Sequence, residues 1–156
     1  MKLILKKGSI ENAPKGYVRI RITEKARGVK GSVKENGEET LEIGAGRPAE
    51  MSRRKFILLC RSIVQAAKAH AFKKIAIQFD NTPELFKNLK GISPEDISQM
   101  AAENFEMADF EFNIFKTKPK EGWHTVEEIL LYGKSSATIE KAVRKGQEIG
   151  KAVNAC

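Results

Sequence analysis

The sequence predicts an α/β fold built on a mixed β-sheet. The first indication is the stretch from Ser52 to Asp80, where a long amphipathic helix leads directly into a short apolar strand, as in half of a β-α-β unit. The second is the Asn36-Gly37 step between two strand-like runs, which favours a hairpin because both residue types tolerate positive φ. Helical crossovers and a hairpin together predict a central mixed sheet flanked by helices.

The long helix is predicted from Arg53 to Phe72. Its apolar residues recur at three- and four-residue spacing on one face, namely Phe56, Leu59, Cys60, Ile63, Ala67 and Ala71. Ser52 can cap the first turn. The apolar run from Ile75 to Phe79 follows and is bounded by Asp80, so we expect a core strand there.

The first third of the chain is predicted to be an antiparallel set of strands. Two of them run from Leu3 to Leu5 and from Tyr17 to Ile22. In the second, apolar and polar residues alternate, which is typical of a strand with one buried and one solvated face. The arms of the hairpin are predicted at Val29 to Lys34 and Thr40 to Ile43.

The remaining elements are predicted from capping residues and periodicity. Thr82 and Ser93 each precede a proline and an acidic residue, which is typical of a helix start. We expect the first of these helices to end near Gly91. The second has helical apolar spacing from Ile97 as far as Phe115, although the alternation of Phe110, Phe112 and Ile114 could equally begin a strand.

The last two elements are a strand and a helix. The strand is predicted from Val126 to Tyr132 and the helix from Ser136 to the end of the chain. Gly146 and Gly150 lie four residues apart in this helix and could let another helix approach closely. A loop rich in lysine, proline and glycine, from Lys116 to Trp123, precedes the strand.

Composition limits the class of protein. The 156 residues suffice for one domain with one core, and 41% hydrophobic with 31% charged residues fits a soluble globular protein. No apolar run approaches the roughly 18 residues of a membrane span, and Met1 to Leu5 resembles a strand rather than a signal peptide. We expect a cytoplasmic protein with no membrane partner, in which Cys60 and Cys156 are reduced.

The positive charge is concentrated at the beginning of the chain. Residues 1–34 contain ten basic and two acidic side chains, a surplus equal to the net charge of +8 for the whole sequence. Such a surplus can attract nucleic acid through its phosphates, but it is more often a solvated face or a patch for an acidic partner. Nucleic-acid binding therefore stays open as a weak alternative.

The sequence contains no convincing catalytic, cofactor-binding or metal-binding residues. The turn from Gly44 to Pro48 lies where phosphate-binding glycine loops occur, but the rest of that motif is missing, so a tight strand-to-helix turn is the favoured interpretation. His70 and His124 have no ligand partners at metal-binding spacing. Trp123 beside His124 could stack on a ligand, although a tryptophan in a loop commonly covers the edge of a core.

Five segments, taken in order, resemble the N-terminal domain of the leucine aminopeptidase (cytosol aminopeptidase) family. They cover most of the chain from Leu41 onward: Leu41 to Gly46, Arg53 to Phe72, Lys74 to Phe79, Ala101 to Phe105 running into Phe110 to Thr117, and Gly146 to Cys156. The beginning of this chain departs from the family because it is short and unusually basic.

The resemblance implies a macro-domain-like three-layer sandwich over residues 1–135, and a linker helix over residues 136–156 that leads into a catalytic domain. It implies a parent enzyme that removes N-terminal residues from peptides with two divalent metals, zinc, manganese or magnesium, and that assembles as a homo-hexamer. The family's metal ligands lie on the catalytic domain, in a segment of the type Asn-Thr-Asp-Ala-Glu-Gly-Arg that is absent here. This chain would then be a non-catalytic domain, without a cofactor of its own, that braces the catalytic domain and the oligomer.

The macro-like fold also suggests an alternative ligand. A macro-domain ADP-ribose binder would use the turn from Gly44 to Gly46. Against it, Lys6 and Lys7 follow the first strand, where an acidic residue would be needed to hold the adenine.

Overall fold

The computed structural model describes residues 1–79, 91–111 and 113–156, which form an α/β sandwich around a six-stranded mixed sheet. The strands are β1 (Lys2–Lys6), β2 (Val18–Thr23), β3 (Gly28–Glu35), β4 (Glu38–Gly44), β5 (Lys74–Gln78) and β6 (Glu128–Tyr132). The helices are α1 (Arg53–Ala69), α2 (Pro94–Asp109) and α3 (Ala137–Ala155), with short 3-10 turns at Ile10–Asn12 and Pro48–Glu50. The predicted α/β class with a central mixed sheet is confirmed.

The strand order in the sheet is β1-β6-β5-β2-β4-β3. All neighbouring pairs are parallel except β3 with β4, which form the predicted hairpin around Asn36 and Gly37. Both of these residues have positive φ, as the tight turn requires.

The prediction of an antiparallel first third is wrong for β1 and β2. Strand β2 pairs in parallel with both β4 and β5, and β1 lies at the far edge of the sheet beside β6. Sequence alternation identifies a strand but does not identify its partner. The central position of β2 is set by its burial between two neighbours that come later in the chain.

The main core lies between one face of the sheet and the helices. Alternate residues of the strands, such as Ile20, Leu41 and Ile77, pack in one cluster with the apolar faces of α1 and α2. Phe56 and Phe105 are the largest fully buried side chains of this cluster. In the described residues, the opposite face of the sheet is covered by the turn Ile10–Asn12, which forms a second, smaller cluster with strands β5 and β6.

Strand β2 has only part of the solvated face that its alternation predicts, because Arg21 is exposed but Arg19 is not. Arg19 is only 8% exposed. Its guanidinium donates to Glu38 Oε2 at 2.7 Å and to the Glu11 carbonyl at 2.8 Å, and it also lies 3.2 Å from the Glu11 carboxylate. A buried arginine is tolerated when its donors are paired in this way.

Two helix boundaries differ from the predictions. Helix α1 ends at Ala69, so Ala71 lies outside it, exposed and with φ of +58°. Helix α2 ends at Asp109, and the described residues between it and β6 form neither more helix nor a strand. The helix predicted to begin at Thr82 lies outside the described residues.

Helices α2 and α3 pack at very close range, as predicted from the glycine spacing. A Cβ atom on Gly146 would lie 2.2 Å from the Gln99 carbonyl oxygen, and one on Gly150 would lie 2.8 Å from that of Glu103. Helix α3 is therefore an integral part of the helical layer. No helix in the described part of the chain has the length and apolar character needed to cross a membrane.

Candidate functional site

The glycine turn is a packing element between two loops. Parallel pairing of β2 and β4 aligns Thr23 with Gly44, so the loops after these strands lie side by side. Ala45 and Gly46 donate their backbone N–H groups to the carbonyls of Thr23 and Lys25, at 2.8 and 2.9 Å. A Cβ on Gly44 would lie 2.1 Å from the Ala26 carbonyl oxygen. Glycine is thus required here by backbone contact, which supports the tight-turn interpretation.

Because these amides are already used within the fold, they are not free to cradle a phosphate. A glycine loop that binds phosphate presents unpaired N–H groups to the ligand. The geometry therefore does not favour an ADP-ribose site built from the backbone of Gly44 to Gly46.

A basic cleft nevertheless opens beside this turn. It has a volume of about 480 Å³ and is lined by Glu24, Ala26, Arg27, Ala45, Gly46, Arg47, Glu50 and Lys55. Its cations come from three separate elements: the β2–β3 loop, the β4–α1 loop and the first turn of α1. We refer to this set of residues as the basic cleft.

A second cleft, also about 480 Å³, lies at the other end of α1. Lys68, Ala69 and Glu111 line it together with the loop residues Pro119, Lys120, Glu121, Gly122, Trp123 and His124. This set of residues is named the tryptophan cleft. The structure therefore places Trp123 and His124, which the sequence singled out, in a concave surface.

Most charged groups of the tryptophan cleft have partners within the fold. Lys68 Nζ lies 2.6 Å from Glu111 Oε1 and donates to the Asp109 carbonyl at 3.1 Å. The hydrogen bond from Lys68 holds the pKa of Glu111 below its usual value. Burial raises the pKa of Asp109, whose carboxylate accepts a hydrogen bond from the Val126 amide at 2.8 Å.

Trp123 is also engaged within the molecule. Lys116 Nζ lies 5.9 Å from the centre of its ring, a cation–π distance, and 3.8 Å from Glu111 Oε2. His124 Nε2 lies 3.9 Å from Glu121 Oε2. Lys68, Glu111, Trp123 and His124 of the tryptophan cleft thus all have partners among the described residues of the fold.

The basic residues of the first 34 positions do not form one patch. Lys2 and Lys6 lie on β1 and Lys30 and Lys34 on β3, which are the two opposite edges of the sheet. Three further cations are held in ion pairs, namely Arg19, Arg21 and Lys25. The early strands therefore do not provide a single continuous surface for nucleic acid.

The described residues contain no group of three or more His, Cys, Asp and Glu side chains that could hold a metal ion. His70 instead stacks on Phe72 with its ring centre 5.3 Å away, and its Nδ1 lies 2.9 Å from the Ala66 carbonyl. Cys60 and Cys156 are both free, one buried and one exposed. Burial raises the pKa of the Cys60 thiol, so this side chain is an unreactive part of the core.

Sequence reasoning missed how Arg27 and Arg47 come together. They are 20 positions apart, and only the parallel pairing of β2 and β4 brings their loops to one cleft. The sequence does show a basic residue after each of two predicted strands. It does not show that these strands pair in parallel, and without that register the two residues cannot be placed together.

Fold and site together define a small α/β domain with open clefts and no metal centre in its described part. No protein-family model and no curated protein sequence matches the chain. Among solved structures, it is similar to a mutant of leucine aminopeptidase from tomato, with a TM-score of 0.70 and 17% identity over 98% of this chain and 36% of that one.

The bottromycin maturation enzyme BotP is also similar. Its structure in complex with Mn has a TM-score of 0.59 and 12% identity over 90% of this chain and 30% of that one. A second structure of BotP has a TM-score of 0.62 and 13% identity over 90% of this chain and 31% of that one. The predicted resemblance to leucine aminopeptidase is thus confirmed at the level of the fold. The chain spans about a third of the length of the proteins it matches.

Proposed function

We propose that this chain is the non-catalytic N-terminal domain of a metal-dependent leucyl aminopeptidase. The observation that carries the proposal is the asymmetric coverage: almost the whole of this chain superimposes on a third of a leucine aminopeptidase. A domain that accounts for one third of an enzyme, and whose described residues hold no metal cluster, fits a supporting role.

In this proposal the chemistry belongs to a second domain. That domain would carry two divalent metals, zinc, manganese or magnesium, and would remove N-terminal residues from peptides in the cytoplasm. The present domain, residues 1–135 with the helix of residues 136–156 as a linker, would brace the catalytic domain within a homo-hexamer. The Mn in one BotP structure supports a metal-dependent parent.

Activity of the isolated chain tests the non-catalytic part of this proposal. The purified protein is assayed with leucine p-nitroanilide in the presence of zinc, manganese or magnesium. We expect no turnover with any of the metals. A rate that follows the protein through purification, and that chelation abolishes, would contradict the proposal.

The bracing role is tested on the parent protein. The downstream region is produced with and without residues 1–156, and its thermal unfolding and its mass in solution are compared. We expect the shortened form to unfold at a lower temperature and to assemble less completely. Unchanged stability and mass would rule out a bracing role while leaving the domain assignment intact.

A further inference from the structure

The basic cleft has the position and composition of a site for an anionic small molecule. It lies beyond the carboxyl ends of the neighbouring parallel strands β2 and β4, the edge of an open α/β sheet at which ligands bind. Its volume of about 480 Å³ falls within the range of small-molecule pockets, roughly 300 to 1,000 Å³. It is therefore larger than a single bound ion requires.

Its arginines are not used by the fold. The guanidinium groups of Arg27 and Arg47 make no hydrogen bond or ion pair to any residue among 1–79, 91–111 and 113–156, whereas the side chains of Arg19, Arg21 and Lys25 close by are all paired. Two unpaired guanidinium groups from adjacent loops can each offer a fork of donors to the oxygens of one anion.

Lysine adds a third donor group, and small residues keep the cleft open. Lys55 Nζ donates to the Glu50 carbonyl at 2.9 Å, which leaves two of its three N–H bonds for a ligand. Ala26, Ala45 and Gly46 have side chains too small to fill the space between the cations. Because the amides of Ala45 and Gly46 are bonded within the fold, side chains are the main source of recognition in the cleft.

We propose that the basic cleft binds a small molecule bearing a diphosphate, held by Arg27 and Arg47 from two adjacent loops and by Lys55 from the first turn of α1. The planar fork of arginine matches phosphate oxygens in pairs, and two such forks match two linked phosphate groups. Glu24 and Glu50, which also line the cleft, oppose the binding of anions and so set its strength. This inference does not depend on the proposed aminopeptidase role.

The test is a titration of the full chain with pyrophosphate at constant ionic strength, followed by amide NMR shifts. We expect saturable shifts confined to the β2–β3 loop, the β4–α1 loop and the first turn of α1. Arg27→Gln and Arg47→Gln should each weaken binding about tenfold, because a hydrogen bond to a charged group typically contributes at least that factor. Arg144→Gln, the same change on an exposed and unpaired arginine of α3, should leave the affinity unchanged.

A variant that binds more tightly distinguishes a change in the binding site from a loss of folding. Removing the opposing carboxylate in Glu50→Gln should tighten pyrophosphate binding, and a misfolded protein cannot produce that result. Shifts spread over all basic residues, or equal affinity in the two arginine variants and the wild type, would overturn the proposal. Citrate binding as tightly as pyrophosphate would overturn its phosphate specificity.

Discussion

The two ends of helix α1 use positive charge in opposite ways. At its C-terminal end, Lys68 is 11% exposed and is bonded to the carboxylate of Glu111 and the carbonyl of Asp109. At its N-terminal end, the first turn holds no acidic residue, and Arg27 and Arg47 stand unpaired beside it within the described residues. The first set of charges stabilises the fold, whereas the second is available to a ligand.

Gly44→Ala tests whether backbone contact forms the wall of the basic cleft, and it should have the largest effect. The new Cβ would meet the Ala26 carbonyl oxygen at 2.1 Å, and neither backbone can move without breaking the pairing of the loops. We expect the free energy of unfolding to fall by roughly 3 kcal/mol, measured by urea denaturation.

Gly46→Ala is the matched control. Its Cβ would meet only the flexible Arg27 Cγ at 3.5 Å, but its φ of +83° is strained for alanine. We expect a smaller loss of about 1 kcal/mol, which corresponds to backbone strain alone. Equal losses for the two variants would mean that contact with the β2–β3 loop is unimportant.

Lys68→Met tests the structural use of charge at the C-terminal end. It leaves the Glu111 carboxylate and the Asp109 carbonyl without their donor, so we expect a loss of about 2 kcal/mol in unfolding free energy. Lys120→Met, in the same cleft but exposed, should change stability by less than about 0.5 kcal/mol. Similar small values for both variants would show that the Lys68 pair contributes nothing.

The pH dependence of stability tests the same ion pair without altering its packing. The pKa of Glu111 is lowered in the folded protein, so its contribution is fully present above the unfolded value of 4.5 and is lost as pH falls through the lower folded value. The stability difference between wild type and Glu111→Gln should therefore be constant from neutral pH to about pH 5 and should shrink in more acidic solution. A difference that persists at the lowest pH would exclude a charge effect.

Ala71→Gly should produce the smallest effect, and it should stabilise the protein. Ala71 has φ of +58° immediately after α1, where the Phe72 amide donates to the Ala67 carbonyl at 2.8 Å. Glycine adopts this left-handed conformation without the steric cost that alanine carries, so we expect a gain of up to about 1 kcal/mol. Ala69→Gly, at the last position of the helix, is the control and should be destabilising, by less than the roughly 1 kcal/mol that glycine costs in a helix interior.

Local patterns predicted the elements well because they depend on neighbouring residues. The periodicity of α1 and the alternation in the strands identified buried positions such as Phe56 and Ile20 directly. The resemblance to leucine aminopeptidase depended on the order of such local segments, and it agrees with the observed fold.

The features that could not be predicted from the sequence depend on contacts between residues far apart in the chain. Arg19 was expected in solvent, but the hairpin and the turn Ile10–Asn12 bring Glu38 and Glu11 to it. Lys68 and Glu111 form an ion pair although they are 43 positions apart. The two arginines of the basic cleft come together only because β2 pairs with β4 in parallel register. Ion pairs between residues far apart in sequence cannot be predicted until the topology of the fold is known.

The most direct test of the central claim is the length of the native polypeptide, obtained from its intact mass or from the coding sequence beyond Cys156. We expect a chain about three times as long as this one, since these residues match 36% of a leucine aminopeptidase. We also expect a downstream segment of the type Asn-Thr-Asp-Ala-Glu-Gly-Arg. A native chain that ends at Cys156 would contradict the assignment as one domain of an aminopeptidase.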